Sequence, residues 1–134
     1  MLRRYATASS VLEEREQSWR RLHPDWSLQW LDHQPEAIEA LDPLPELVRQ
    51  CALCAQDPAI RGDLLRLAML WLHGGVAVDL LWQPRQCLDP LLAGTELLLV
   101  QDPFGSIGSE LWAAPPRHPW VEEALLLACR HVLQ

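Results

Sequence analysis

One stretch constrains the fold of this chain more than any other. Asp57-Pro58 pairs an N-cap carboxylate with a proline at the first helical position, where its missing N–H costs nothing. The residues from Leu64 to Leu72 are apolar apart from Arg66, and Gly74-Gly75 stops the helix near His73 and lets the chain reverse. Val76-Ala77-Val78 follows, short, β-favouring and apolar throughout. A strand without a polar alternation is covered on both faces, so this one is expected to be a buried central strand. It ends on Asp79, and Pro84 excludes a long continuation. With the elements read along the rest of the chain, the order becomes helix, strand, helices, strand, strand, strand, helix, which predicts an α/β layered fold.

The rest of the chain fits around that unit. Its 134 residues suffice for one core and are read as a single domain, 1–134. Ser10-x-x-Glu13 is a capping box, so a helix starts near Val11, with Leu12, Trp19 and Leu22 on one face and Pro24 at its end. Trp26, Leu28 and Trp30 alternate as a short strand would, and Asp32-His33-Gln34-Pro35 forms a turn. A short helix is expected over Glu36 to Leu41. A longer one is expected over Leu44 to Ala55, with Leu47, Val48, Cys51 and Cys54 inward. Leu97 to Val100 is a second buried-strand candidate and Ile107 to Ala113 a third. Pro119 opens a final helix with Trp120, Val121, Ala124, Leu125, Ala128 and Val132 as its apolar stripe.

A net charge of −7 argues against nucleic-acid binding, which needs a basic face for phosphates. Two arginines follow Leu2, but Glu13, Glu14 and Glu16 come next instead of an apolar run, so no signal peptide is expected. No apolar stretch reaches the roughly 18 residues of a spanning helix. The expected location is the cytoplasm, with peripheral association at a membrane surface left open. Cys51-x-x-Cys54 admits a zinc or redox reading, but no second pair and no thioredoxin-like context accompany it, and both cysteines fit a packing stripe. Arg61-Gly62-Asp63 falls inside the predicted helix, which does not suit an exposed adhesion loop.

Asp63 and Arg66 sit three apart and share a helix face. A charged pair on so apolar a helix has two explanations. One is a structural ion pair. The other is a ligand with hydroxyls and phosphates, since a carboxylate accepts hydroxyl hydrogen bonds and a guanidinium forks onto phosphate. Asp79, at the end of its strand, is either a turn residue or a ligand for a divalent metal.

Together, Ala59, Asp63, Arg66, Leu70, Gly74, Gly75 and Asp79 resemble, residue for residue and at matching spacing, the sugar-binding region of DXD-containing glycosyltransferases. That group includes the yeast Och1-like mannosyltransferases and bacterial capsular-polysaccharide transferases. The segment from Ser18 to Trp26 is similar to the family's upstream Trp/Pro segment, and Ala114 to Trp120 to its downstream turn, so the resemblance runs over residues 18–130. It implies a partial GT-A-like layered sheet with flanking helices. It also implies a nucleotide-sugar donor and a saccharide or lipid-linked acceptor such as a glycolipid, in polysaccharide biosynthesis. Asp63 and Arg66 would bind the donor, Asp79 would touch the donor and a manganese or magnesium ion, and Gly74 and Gly75 would be structural. No catalytic residue is assigned.

The sequence departs from the family pattern. Leu81 replaces the second DXD acid, which weakens the implied metal site, Ala77 replaces an aromatic and Gly62 a serine. Nothing like the family's opening nucleotide-seating strand precedes Trp19, and its C-terminal segment is also lacking, so the chain is read as truncated. A missing first strand would leave a bare sheet edge open to self-association. The alternatives are a non-catalytic remnant or partner subunit and, more distantly, a small CxxC protein. Asp102 and Glu110 are further acids near strand ends, without a place at the site from sequence alone. His118 before Pro119 is either a ligand neighbour or a helix-start residue.

Overall fold

The computed structural model describes residues 10–28, 44–79 and 82–133. In chain order these form α1 (Ser10–Leu22), α2 (Glu46–Cys54), α3 (Pro58–His73), β1 (Gly75–Val78), a four-residue α4 (Asp89–Leu92), β2 (Leu98–Gln101), β3 (Ile107–Ala114) and α5 (Pro119–Leu133). The predicted helix at Glu36 to Leu41, the turn at Asp32, the strand residue Trp30, and Leu80 and Leu81 lie outside the described residues. So does the side chain of Leu12. Of the strand predicted from Trp26, the described part contains only an isolated bridge at Leu28.

The fold is mixed α/β around an antiparallel sheet of order β1-β3-β2. β1 and β3 pair with Val76 opposite Ala113, Ala77 opposite Trp112 and Val78 opposite Leu111. β1 is buried, as its apolar run requires, and among the described residues it stands at the end of the three-strand order. Its burial comes from layers above and below. Side chains alternate across a sheet, so Ala77, Trp112 and Ala114 join the core formed by α2, α3 and α5. Val76, Val78, Leu111 and Ala113 pack on the opposite side against Trp19 of α1. β2 is only half-buried, unlike the predicted second buried strand.

α3 is the central helix. The Asp57 carboxylate accepts the Ala59 N–H at 2.9 Å, as an N-cap should, and Pro58 occupies the first turn. Residues 64–70 are all buried, which explains why this helix reads as apolar on every side. At its end the Gly74 N–H donates to the Leu70 carbonyl at 2.8 Å. Gly74 has φ +67, and a Cβ there would stand 2.6 Å from Pro116 Cδ. Glycine is therefore required both by the left-handed backbone and by the approach of the 115–117 turn. In that turn Arg117 donates its N–H to the Trp71 carbonyl at 2.8 Å and lays its guanidinium over the Trp71 ring, 4.3 Å from the centroid.

The inward face of α2 differs from expectation. Val48, Cys51 and Ala52 are buried, whereas Leu47 and Cys54 are exposed. α5 packs against this helix from the Cys51 side, and the thiol of Cys51 donates weakly to the Cys129 carbonyl at 3.8 Å. The buried face is therefore centred on Cys51 and Ala52, which rotates Leu47 and Cys54 outward. The two cysteines of the CxxC pair thus occupy different environments.

Candidate functional site

Asp63 and Arg66 form the ion pair that their spacing suggests, with Arg66 Nη2 donating to Asp63 Oδ1 at 2.5 Å. The two partners differ sharply in exposure. The Arg66 side chain is 2% exposed and that of Asp63 41%. Arg66 Nη1 donates to the Ser109 carbonyl of β3, and the guanidinium lies 4.7 Å from the centroid of the Trp112 ring. A buried guanidinium is tolerable because a carboxylate, a carbonyl and an aromatic face all meet it. Its fork is thereby committed to protein groups, and Asp63 presents the solvent-facing side of the pair.

The Ser109 carbonyl is available for a physical reason. Leu98 and Leu99 of β2 pair with Ala113 and Trp112, but Gln101 pairs with Ile107, so the ladder is irregular over the intervening residues. Arg66 takes up one carbonyl of that stretch. Trp112 takes up another, donating its indole N–H to the Gly108 carbonyl at 3.1 Å.

Asp79 lies beside the same stretch. Its N–H donates to the Glu110 carbonyl at 2.8 Å, which continues the β1–β3 register by one pair. Asp79 follows Ala77 on the α3 side of the sheet by alternation, and Glu110 follows Trp112. The Glu110 carboxylate folds back over Gly108, where any Cβ would collide with it. Alternation therefore puts Asp79 and Glu110 on the α3 side of the sheet, at the end where Arg66 of α3 bonds the neighbouring Ser109 carbonyl. Asp79 itself is half-buried, and its carbonyl accepts the Trp82 N–H at 2.9 Å.

Sequence reasoning did not find Ser109 and Trp112 and left Glu110 without a location. The available signal was the acid itself, since only strand pairing brings residue 110 beside residue 79. Asp102 has a different role: its carboxylate accepts the N–H groups of Phe104 and Ser106 and shapes the β2–β3 turn. His118 accepts the Trp120 N–H through Nδ1 at 3.1 Å, a helix-start role. Among the described residues no group of three or more His, Cys, Asp and Glu side chains is arranged to hold a metal ion.

Residues 9–98 match the sequence profile of the glycosyltransferase sugar-binding region containing DXD motif, a span of well over half the chain. The chain belongs to that family. A search of curated proteins and a search of solved structures each found no match. The matched span of this glycosyltransferase sugar-binding region includes Asp63, Arg66, the glycine pair and Asp79, whereas β3, with Ser109 and Glu110, lies beyond it. Among the described residues no helix is long and apolar enough to cross a membrane.

Proposed function

We propose that this chain binds a nucleotide-sugar donor at the Asp63–Asp79 end of the sheet and serves transfer of the sugar to a saccharide or lipid-linked acceptor. The observation that carries this reading is the half-exposed Asp63 carboxylate, held by a buried arginine on the sheet face where β1 ends in Asp79. Asp63 accepts hydrogen bonds from donor hydroxyls. Arg66 serves the donor by fixing Asp63 and the Ser109 carbonyl, and its permanent charge favours the diphosphate nearby. A GT-A-like layout, with the antiparallel β1–β3 pair as its described part, accommodates these roles.

The residues present fit a divalent cation in a limited way. Asp79 and Glu110 face each other across adjacent strands, and manganese or magnesium commonly combines one or two carboxylates with phosphate oxygens and water. Asp79 would hold the ion, which when bound neutralises charge on the departing nucleoside diphosphate. Leu81, where the family pattern has an acid, leaves this chain's own contribution weak. The same leucine favours a second reading, in which the domain binds a donor without transferring it. The chain's working place is then wherever such donors are made, in the cytoplasm or at a membrane surface.

Isothermal titration with UDP- and GDP-sugars in the presence of manganese tests the proposal. At least one donor is expected to bind, and Asp63→Asn or Asp79→Asn should weaken it at least about tenfold, a loss of about 1.4 kcal/mol, without unfolding the protein. A folded chain that binds none of them overturns the proposal. Release of free sugar from a bound donor by the unmodified chain would decide against the non-catalytic reading.

A further inference from the structure

A tryptophan gains more from burial than almost any other side chain, and its indole N–H normally finds a partner inside the fold. Trp19 and Trp112 follow that rule: both are buried, and both donate to backbone carbonyls. Trp26 is half-buried and donates to Asp89 Oδ1. Trp82 departs from the rule. It is 40% exposed and is the one exposed tryptophan among the described residues.

The backbone of Trp82 is nevertheless fixed on both sides. Its N–H donates to the Asp79 carbonyl at 2.9 Å. Its carbonyl accepts the indole N–H of Trp19 at 3.1 Å, from a side chain that is itself buried. The next residue is tied as well, since Gln83 Nε2 donates to Ser18 Oγ at 3.4 Å. The bond from Trp82 back to Asp79 closes a four-residue turn, which holds the two Cα atoms within about 7 Å of each other. An exposed indole is thus mounted on a pinned backbone, one turn from the carboxylate that ends β1.

That pairing has a chemical meaning. A pyranose ring carries apolar C–H groups on its faces and hydroxyls around its edge. An indole face covers the first, and a carboxylate accepts hydrogen bonds from the second. Asp79 brings a carboxylate within the turn, and Glu110, whose carbonyl accepts the Asp79 N–H, brings another from the neighbouring strand. A nucleobase also has a face to stack, but its edge presents acceptors as well as donors, whereas every hydroxyl of a hexose can donate to such acids.

We propose that the exposed face of Trp82 is the stacking surface for a hexose ring at the Asp79 end of the sheet. Trp82 is a binding residue and takes no part in bond making or breaking. The inference rests on the proposed sugar-binding role of that end of the sheet, and it adds the group that recognises the ring itself. The ring belongs either to the donor or to a saccharide acceptor.

Isothermal titration of the full chain with UDP-glucose, GDP-mannose, UDP and GDP in the presence of manganese tests the proposal. For whichever nucleotide sugar binds, Trp82→Ala and Trp82→Leu should each lower the affinity at least about tenfold, whereas Trp82→Phe, which keeps an aromatic face, should stay within about threefold of the wild type. Affinity for the matching free nucleotide should change less than about twofold in all three variants. Nuclear magnetic resonance of the 15N-labelled chain with methyl α-mannoside and methyl β-glucoside, without nucleotide, reads the source of the ring. A shift of the Trp82 indole signal assigns an acceptor sugar, and a nucleotide-sugar effect without that shift assigns the donor sugar. The Trp19 indole signal, whose acceptor is a backbone carbonyl in every variant, reports that the anchor is intact.

A Trp82→Leu chain that binds the nucleotide sugar as tightly as the wild type overturns the proposal. An equal loss of affinity for the free nucleotide also overturns it, since the base would then be the group on the ring. If the folded chain binds no nucleotide sugar and no nucleotide, the donor reading fails. The glycoside titration then decides the stacking surface separately: a Trp82 shift upholds it, and none ends it.

Discussion

The two faces of the sheet are closed by different chemistry. On the α3 side the core is mostly aliphatic, from Leu64 to Leu70 and the inward residues of α2 and α5, with one charge inserted. Arg66 joins α3 to β3 through the Ser109 carbonyl and the Trp112 ring. On the α1 side Trp19 stacks on both His23 and Trp26, with the His23 ring tilted against Trp26, and their polar atoms are met by neutral partners at Trp82 and Leu88 and by Asp89. The first face holds one buried guanidinium, met by the Asp63 carboxylate, the Ser109 carbonyl and the Trp112 ring. The second, among the described residues, is closed by aromatic rings whose N–H groups and ring nitrogens meet mainly backbone partners. The same three strands thus have one side closed around a charge and one side closed by ring packing and hydrogen-bond direction.

The largest test of this contrast is Arg66→Met. The substitution keeps apolar volume but strands the Ser109 carbonyl and frees Asp63, at a cost of about 2–4 kcal/mol in unfolding free energy. Urea denaturation measures it. A loss below that of Trp19→Phe would reverse the ranking of the two faces. Trp19→Phe comes second, at about 1–2 kcal/mol, through the lost Trp82 contact and a small void. It should leave the Asp63–Arg66 pair intact, and equal damage to donor binding from both variants would show that the faces are not separable.

The smallest effect concerns the buried thiols. Burial, and then the neighbouring Cys51, push the Cys129 thiol from 9.0 up to about 12. The folded state holds this proton more tightly than the unfolded chain. Its contribution is therefore fully present below pH 9.0 and is lost as pH rises toward about 12. At neutral pH a thiol reagent should label exposed Cys54 and leave Cys51 and Cys129 untouched until the protein unfolds. Mass spectrometry of the labelled chain reads the order, and labelling of Cys129 as fast as Cys54 would contradict the packing of α2 on α5.

Local signals in the sequence are well reproduced. The cap at Asp57, the stop at Gly74, the third strand candidate and the helix from Pro119 all depend on neighbours within a few residues. Strand order does not. Nothing near Val76 says that its partner is Ala113 or that the pairing is antiparallel, because that choice rests on closing a loop of more than thirty residues. The location of Glu110 was hidden for the same reason. The rotation of α2 was hidden because an apolar residue every third or fourth position marks a stripe, and only the placement of α5 decides which edge of the stripe is covered. Asp63 and Arg66 were legible as a pair from their spacing alone. Which of them faces solvent was not, because that depends on Ser109 and Trp112, more than forty residues away.

One consequence of the irregular stretch in β3 is mechanical. Ser109 holds the arm from α3 through Arg66, and Glu110 holds the arm from β1 through the Asp79 amide. These anchors are adjacent links of one strand. The position of β3 therefore bears on both supports at once: one step of register in β3 would displace the Ser109 anchor of Arg66 and the Glu110 anchor of Asp79 together.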